Sequence, residues 1–98
     1  MKRQPTHPGA ILKDAITELN AQDISTAQFA RDLHISRNQL YKIINEDNPV
    51  TPNIAIRLGK VLGNGPRIWL RLQQAYDLWN AENELGDELK EMPVYQVA

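Results

Sequence analysis

A chain of 98 residues is long enough for one domain around one modest core, and its 42% hydrophobic and 23% charged residues are the balance of an ordinary globular protein. No apolar run approaches the roughly 20 residues that span a bilayer, and the absence of cysteine excludes disulfides and thiolate metal sites. The net charge of −1 divides unevenly: ten Lys+Arg against seven Asp+Glu give residues 1–81 a charge of +3, and one Lys against five acids gives residues 82–98 a charge of −4.

The start, Met1-Lys2-Arg3-Gln4-Pro5, is basic and leads into no apolar segment of a secretory signal, so the expected compartment is the cytoplasm. Pro8 suits a first helical position, where its missing N–H is no loss. Ile11, Leu12, Ala15, Ile16 and Leu19 recur at helical spacing, which predicts a helix from Pro8 to about Asn20. A polar connection, Ala21 to Ser25, follows. Ser25 or Thr26 caps a second helix through Phe29, Ala30 and Leu33 that stops near His34. Ser36 is a good N-cap for a third helix, Arg37 to about Asn45, with Leu40, Ile43 and Ile44 turned inward. After the turn Glu46–Val50, Thr51-Pro52 opens a fourth helix with Ala55, Leu58, Val61 and Leu62 inside, and Gly63 ends it. Gly65-Pro66 opens a longer fifth helix that ends between Ala81 and Leu85. The body has no two-residue alternation; Val94–Val97 is the only short strand candidate. The expectation is an all-α domain of five helices over residues 1–83, followed by an acidic tail over 84–98.

The second and third helices are joined by only about three residues, and that shortness forces the sharp crossing of a helix-turn-helix. The crossing needs a small residue where the helices touch, met by Ala30, and apolar residues to hold the angle, met by Leu33, Ile35, Leu40 and Ile43. His34 stands where Gly is usual, at a position that tends toward positive φ. In such motifs the N-terminal residues of the second helix meet base edges in the major groove. Arg37 has the donors for guanine O6/N7, and Asn38 or Gln39 the pair that matches adenine N6/N7. Arg37, Asn38, Tyr41 and Lys42 share the face away from Leu40 and Ile43. Ser36 and Asn45 flank that face, and Thr26 and Gln28 at the start of the second helix are candidates for phosphate contact. The competing reading is a solvated helix face that only packs.

Beyond the motif, "HPGAIL" (His7–Leu12), "TPNIAIRLGKVLG" (Thr51–Gly63) and "GPRIWLRLQQAYDLW" (Gly65–Trp79) resemble the HigA-type antitoxins of bacterial toxin–antitoxin modules, within the phage-repressor-like helix-turn-helix class. The resemblance covers about residues 7–83. It implies a homodimer that represses its own operon at a palindromic operator and binds a toxin of the HigB/RelE-like, mRNA-cleaving class. One departure stands out. Such antitoxins often read Asn-Gly-Lys after the third helix; here Asn45-Glu46-Asp47 places two acids where a phosphate backbone would repel them.

The fifth helix carries Trp69, Leu72, Tyr76 and Trp79 in one stripe, with Ile68 beside it. A stripe of this kind serves a core or a dimer seam. The helix is apolar over more than one face, which makes these five residues candidates for the seam. His7 and His34 have no ligands at metal-site spacing, so capping and turn roles are expected instead. Gly63-Asn64-Gly65 follows no strand and is no phosphate-binding loop. No metal, cofactor or catalytic constellation is expected. A regulator without a toxin, or an interaction module with impaired DNA binding, are the alternatives that the residues leave open.

Overall fold

The computed structural model describes residues 3–97, so the Lys2 half of the basic leader lies outside the described residues. Six helices follow one another: α1 (Pro8–Ala21), α2 (Thr26–Leu33), α3 (Arg37–Ile44), α4 (Pro52–Leu62), α5 (Pro66–Leu85) and α6 (Glu88–Glu91). Each of the first four starts on a side chain that satisfies an otherwise unpaired backbone N–H. The His7 Nδ1 accepts from the Gly9 N–H at 2.9 Å, and Pro8 fills the first helical position. The Ser25 hydroxyl accepts from Gln28 N–H at 3.0 Å, which makes Ser25 and not Thr26 the cap of α2. Thr51 caps α4 ahead of Pro52. Gly63 and Gly65 take φ of 79° and 78° on either side of the α4–α5 turn, where an L side chain would be strained.

The core is a single cluster fed by the first five helices. Leu12 and Ile16 come from α1, Phe29, Ala30 and Leu33 from α2, Leu40 and Ile43 from α3, Ala55 and Leu58 from α4, and Trp69 from α5. Three residues expected to face inward, Ile44, Val61 and Leu62, do so only in part or not at all, Leu62 being half-buried at the end of α4. Val61 is 39% exposed, because α4 turns Ala55, Leu58 and Gly59 toward the body and leaves Val61 at the rim. Ile44 is half-buried at the end of α3.

The five seam candidates on the fifth helix differ in exposure within the chain. Trp69 is 2% exposed and belongs to the core, where its Nε1–H donates to the Asn64 side chain at 3.1 Å. Its ring is therefore not part of an open face. Tyr76 packs edge-on against the His7 ring at 4.8 Å between centroids, a contact within the chain that ties α5 to the cap of α1. Leu72 packs against the core and Trp79 is half-buried. Of the five, only Ile68, at 42%, is well exposed. The open apolar face lies elsewhere on α5: Leu78 is 53% exposed, and with Val50, Leu70 and Ala81 it lines a groove of about 490 Å³.

The strand candidate Val94–Val97 has no pairing partner among the described residues. Gly86 breaks α5, and Glu88–Glu91 adds a single helical turn whose Lys90 pairs with Asp87 at 3.2 Å. No strand occurs among the described residues. A strand needs a neighbour to pair with, and Val94, Tyr95 and Val97 stand almost fully exposed without one in this chain.

Candidate nucleic-acid interface

The geometry of the helix pair begins with the end of α2. His34 adopts the left-handed conformation, φ 60° and ψ 39°, and reverses the chain in one residue. Its N–H donates to Arg31 O at 3.0 Å and that of Ile35 to Ala30 O at 3.1 Å. Those two bonds are the Schellman pattern that absorbs the last carbonyls of a helix. Ala30, 1% exposed, leaves room for the crossing. Ser36 then starts α3 with a capping box: its hydroxyl accepts from the Gln39 N–H, and the Gln39 side chain accepts from the Ser36 N–H, both at 3.0 Å. Leu40 and Ile43 are buried and hold α3 against the body. Behind α3, a Cβ on Gly9 would overlap the Ile43 carbonyl oxygen, so the absence of a side chain lets α1 lie close to α3.

This arrangement turns the other side of α3 outward. Arg37, Asn38, Tyr41 and Lys42 are all exposed, and among the described residues none of their side chains has a hydrogen-bond partner within the chain. Two helical turns thus present a guanidinium, a carboxamide, a phenol and an ammonium group on one surface. Asn45 caps the end of α3 at the edge of that surface and is exposed.

The remaining candidates have partners of their own. The Gln39 carboxamide oxygen is committed to the cap, so in this conformation it cannot supply the acceptor half of an adenine pairing, whereas Asn38 is free to do so. Gln28 donates to Asp32 Oδ1 and accepts from Arg31 Nη2, both at 2.8 Å. To reach a phosphate it must exchange those bonds, a small matter at an exposed site. Thr26 is half-buried at the first position of α2, and Ser36 is occupied as a cap.

Glu46 takes φ 66°, the left-handed position just past α3. This is the place of the Gly in the Asn-Gly-Lys pattern, so the resemblance and the backbone agree about what the position needs. Glu46→Gly is expected to raise stability by roughly 0.5–1 kcal/mol by removing a strained Cβ. Thermal denaturation reads this directly; an unchanged or lower melting temperature would mean that the glutamate side chain makes a compensating contact.

Two residues that periodicity does not mark hold the site in place. Gln73 on α5 is buried; its Oε1 accepts from the Val50 N–H at 2.7 Å and its Nε2 donates to Asp77 at 2.9 Å. It thereby fixes the loop that follows α3. Arg57 on α4 donates from Nη1 to Leu33 O at 2.9 Å and to His34 O at 3.4 Å, and from Nε to Asn53 Oδ1 at 2.7 Å. The only hint in the sequence is the i, i+4 spacing of Asn53 and Arg57, which places them on one face of α4.

Comparison with known proteins bears on this geometry. A helix-turn-helix family model matches residues 17–70, which contain α2, the turn and α3. Antitoxin HigA-1 of Vibrio cholerae is 35% identical over 89 residues, covering 91% of this chain and 82% of that protein. The chain belongs to the helix-turn-helix family of HigA-type antitoxins. Another relative, the uncharacterized helix-turn-helix-type transcriptional regulator YbaQ of Escherichia coli K12, is 39% identical over 83 residues, covering 85% of this chain and 72% of its own length. The structure of the Pseudomonas aeruginosa antitoxin HigA with the higBA promoter superposes with a TM-score of 0.79 at 32% identity, over 95% of this chain and 99% of that one. The sixth, single-turn helix and the acid pair Glu46-Asp47 are features of this HigA-type chain as it stands.

Proposed function

We propose that this HigA-type protein binds operator DNA through α3, represses its own operon, and neutralises a RelE-like mRNA-cleaving toxin. The observation that carries the DNA half is the set of four exposed side chains on α3 with no partner inside the chain. On the outer face of a helix-turn-helix, a guanidinium and a carboxamide match the donor and acceptor pattern of base edges in the major groove. In this reading Arg37 pairs with guanine and Asn38 with adenine. Tyr41, Lys42 and Asn45 meet the flanking backbone, and Thr26, Gln28 and the N-terminus of α2 meet phosphate. Gln39 and Ser36 keep the start of α3 rigid. The promoter-bound relative supports this arrangement by its similar fold.

A palindromic operator calls for a two-fold dimer. The open face of α5, with Leu70, Leu78 and Ala81 along its groove, supplies apolar surface for a second copy, in place of the buried Trp69. The five acids of residues 82–98 suit a different partner. An RNA-cleaving toxin needs a basic surface for its substrate, and complementary charge would steer the tail to it. A regulator without a toxin is the second reading, favoured by the 39% identity to an uncharacterized regulator; a small basic reading frame beside the gene supports the antitoxin reading instead.

The test is Arg37→Ala, with binding to the operator and to a scrambled duplex measured at one salt concentration. The expected loss is about 1–3 kcal/mol on the operator, with relaxed preference at one base pair and little change on the scrambled duplex. Equal losses on both would reduce Arg37 to a phosphate contact. No preference of the wild-type chain for its own promoter would remove the repressor function. Sedimentation of the complex reads the stoichiometry, expected to be two chains per operator.

A further inference from the structure

We propose that Arg57 is a positioning residue for operator recognition: it sets the angle at which α3 is presented, from a helix that is not part of the helix-turn-helix. The inference rests on the DNA-binding reading of α3 above. Its own starting point is the end of α2. The last carbonyls of a helix lack partners within the helix, and the Schellman bonds of His34 and Ile35 occupy only those of Ala30 and Arg31. The carbonyls of Asp32, Leu33 and His34 are left at the reversal, and those of Leu33 and His34 face α4. The guanidinium of Arg57 reaches both from α4, at 2.9 and 3.4 Å.

Three features make this more than a surface contact. First, the guanidinium is oriented: its Nε–H is held by Asn53 Oδ1 at 2.7 Å, one turn earlier on α4, so the fork is aimed before it meets the turn. Second, the carbonyls it meets belong to the left-handed reversal itself. His34 carries a Cβ at φ 60°, a conformation that persists only when its surroundings impose it. Third, a cation at the C-terminal end of α2 is on the favourable side of the helix dipole, where its charge adds to its hydrogen bonds. Arg57 is half-buried, and its bond to the Leu33 carbonyl is partly shielded from solvent. Through Leu33 and His34 the clamp acts on Ile35 and Ser36, the two residues that lead into α3. A small rotation there moves Arg37 and Asn38 off the base edges while leaving any charged contact to the backbone nearly intact.

The test uses the full chain with Arg57→Met and Arg57→Lys. Two readouts are needed, one of them independent of DNA. Hydrogen exchange reads the amides of His34 and Ile35, which the reversal protects. Arg57→Met is expected to speed their exchange at least tenfold relative to amides in the middle of α5. On DNA, Arg57→Met is expected to lose about tenfold or more in affinity for the operator and less than threefold for a scrambled duplex, with an unchanged salt slope. Arg57→Lys retains the charge but not the Asn53-aimed fork, and is expected to fall between wild type and Arg57→Met on the operator. Should Arg57→Met fail to fold, Arg57→Lys carries both readouts with the same direction of change. A contact of Arg57 with phosphate gives a different pattern: equal loss on both duplexes, a salt slope lower by about one, and Arg57→Lys close to wild type. That pattern overturns the proposal, and so does unchanged exchange at His34 and Ile35. If the wild-type chain binds no operator, the DNA-binding reading fails by itself, and the exchange data still show whether Arg57 holds the reversal.

Discussion

Phe29→Ala is expected to lower the unfolding free energy by about 3–5 kcal/mol, the range for truncating a buried aromatic residue. Phe29 is 1% exposed, the only phenylalanine in the chain, and one of the largest fully buried side chains. It lies in the same cluster as Leu12, Leu33, Leu40 and Leu58, which come from α1, α2, α3 and α4. Removing the ring forfeits its transfer energy and leaves a void in the packed core. A domain of this size has roughly 5–15 kcal/mol in total. The variant is therefore expected to lose a large share of its stability, and operator binding with it at 37 °C. Urea unfolding with an unchanged m-value measures the effect. A loss below about 1 kcal/mol would mean that the helices around Phe29 collapse freely, which conflicts with a rigid platform for α3.

The second large effect is expected at Gly59. In the interior of an exposed helix, Gly→Ala gains about 1 kcal/mol from propensity alone. Here the sign reverses. A Cβ on Gly59 would overlap the Gly65 carbonyl carbon and come within 2.5 Å of Pro66 N and 2.6 Å of Gly65 O. All three are backbone atoms, so no flexible side-chain end can yield. The Gly65 N–H also donates to Gly59 O at 3.2 Å, which closes the turn onto α4. Gly59→Ala must push α5 away from α4 and with it Trp69 out of the core. A net loss of roughly 2 kcal/mol or more follows from overpacking of this kind. Thermal and urea denaturation would both report it; a stabilised variant would show that the α4–α5 turn is looser than its contacts state. The helix-turn-helix itself should keep its form in this variant, so the ratio of operator to scrambled binding is expected to hold at low temperature.

These two residues also show where reading the chain residue by residue stops. The caps at Ser25, Ser36 and Thr51, the prolines that open α1, α4 and α5, and the glycine that ends α4 are signals that act within about four residues. Each set an element's start or end where the structure has it. The short turn between α2 and α3 is equally local, since three residues between two helices permit few crossings. The family resemblance rests on the same kind of contiguous pattern and named the right family. The outward face of α3 could also be read in advance, because burying Leu40 and Ile43 leaves Arg37, Asn38, Tyr41 and Lys42 on the other side.

What the tertiary structure decided are the pairings over long separations. Arg57 meets Leu33 across 24 positions, and Gln73 meets Val50 across 23. Periodicity carries no information about either, since a polar residue on a helix reads as a surface residue until a partner is placed over it. Gly9 and Gly59 are of the same kind: their need to lack a side chain exists only because another backbone passes close by. The fifth helix shows the limit most clearly. Its apolar residues cover more than one face, and a helical wheel cannot say which face meets the body. Packing buried Trp69, set Leu72 and Tyr76 half-buried against the body, and left Leu78 outside. The sequence alone thus determined the first five helices, the turn and the outward face of α3, because those follow from local hydrogen bonding and spacing. The open face of α5 and the clamp on the turn follow from contacts that exist only once the helices have docked.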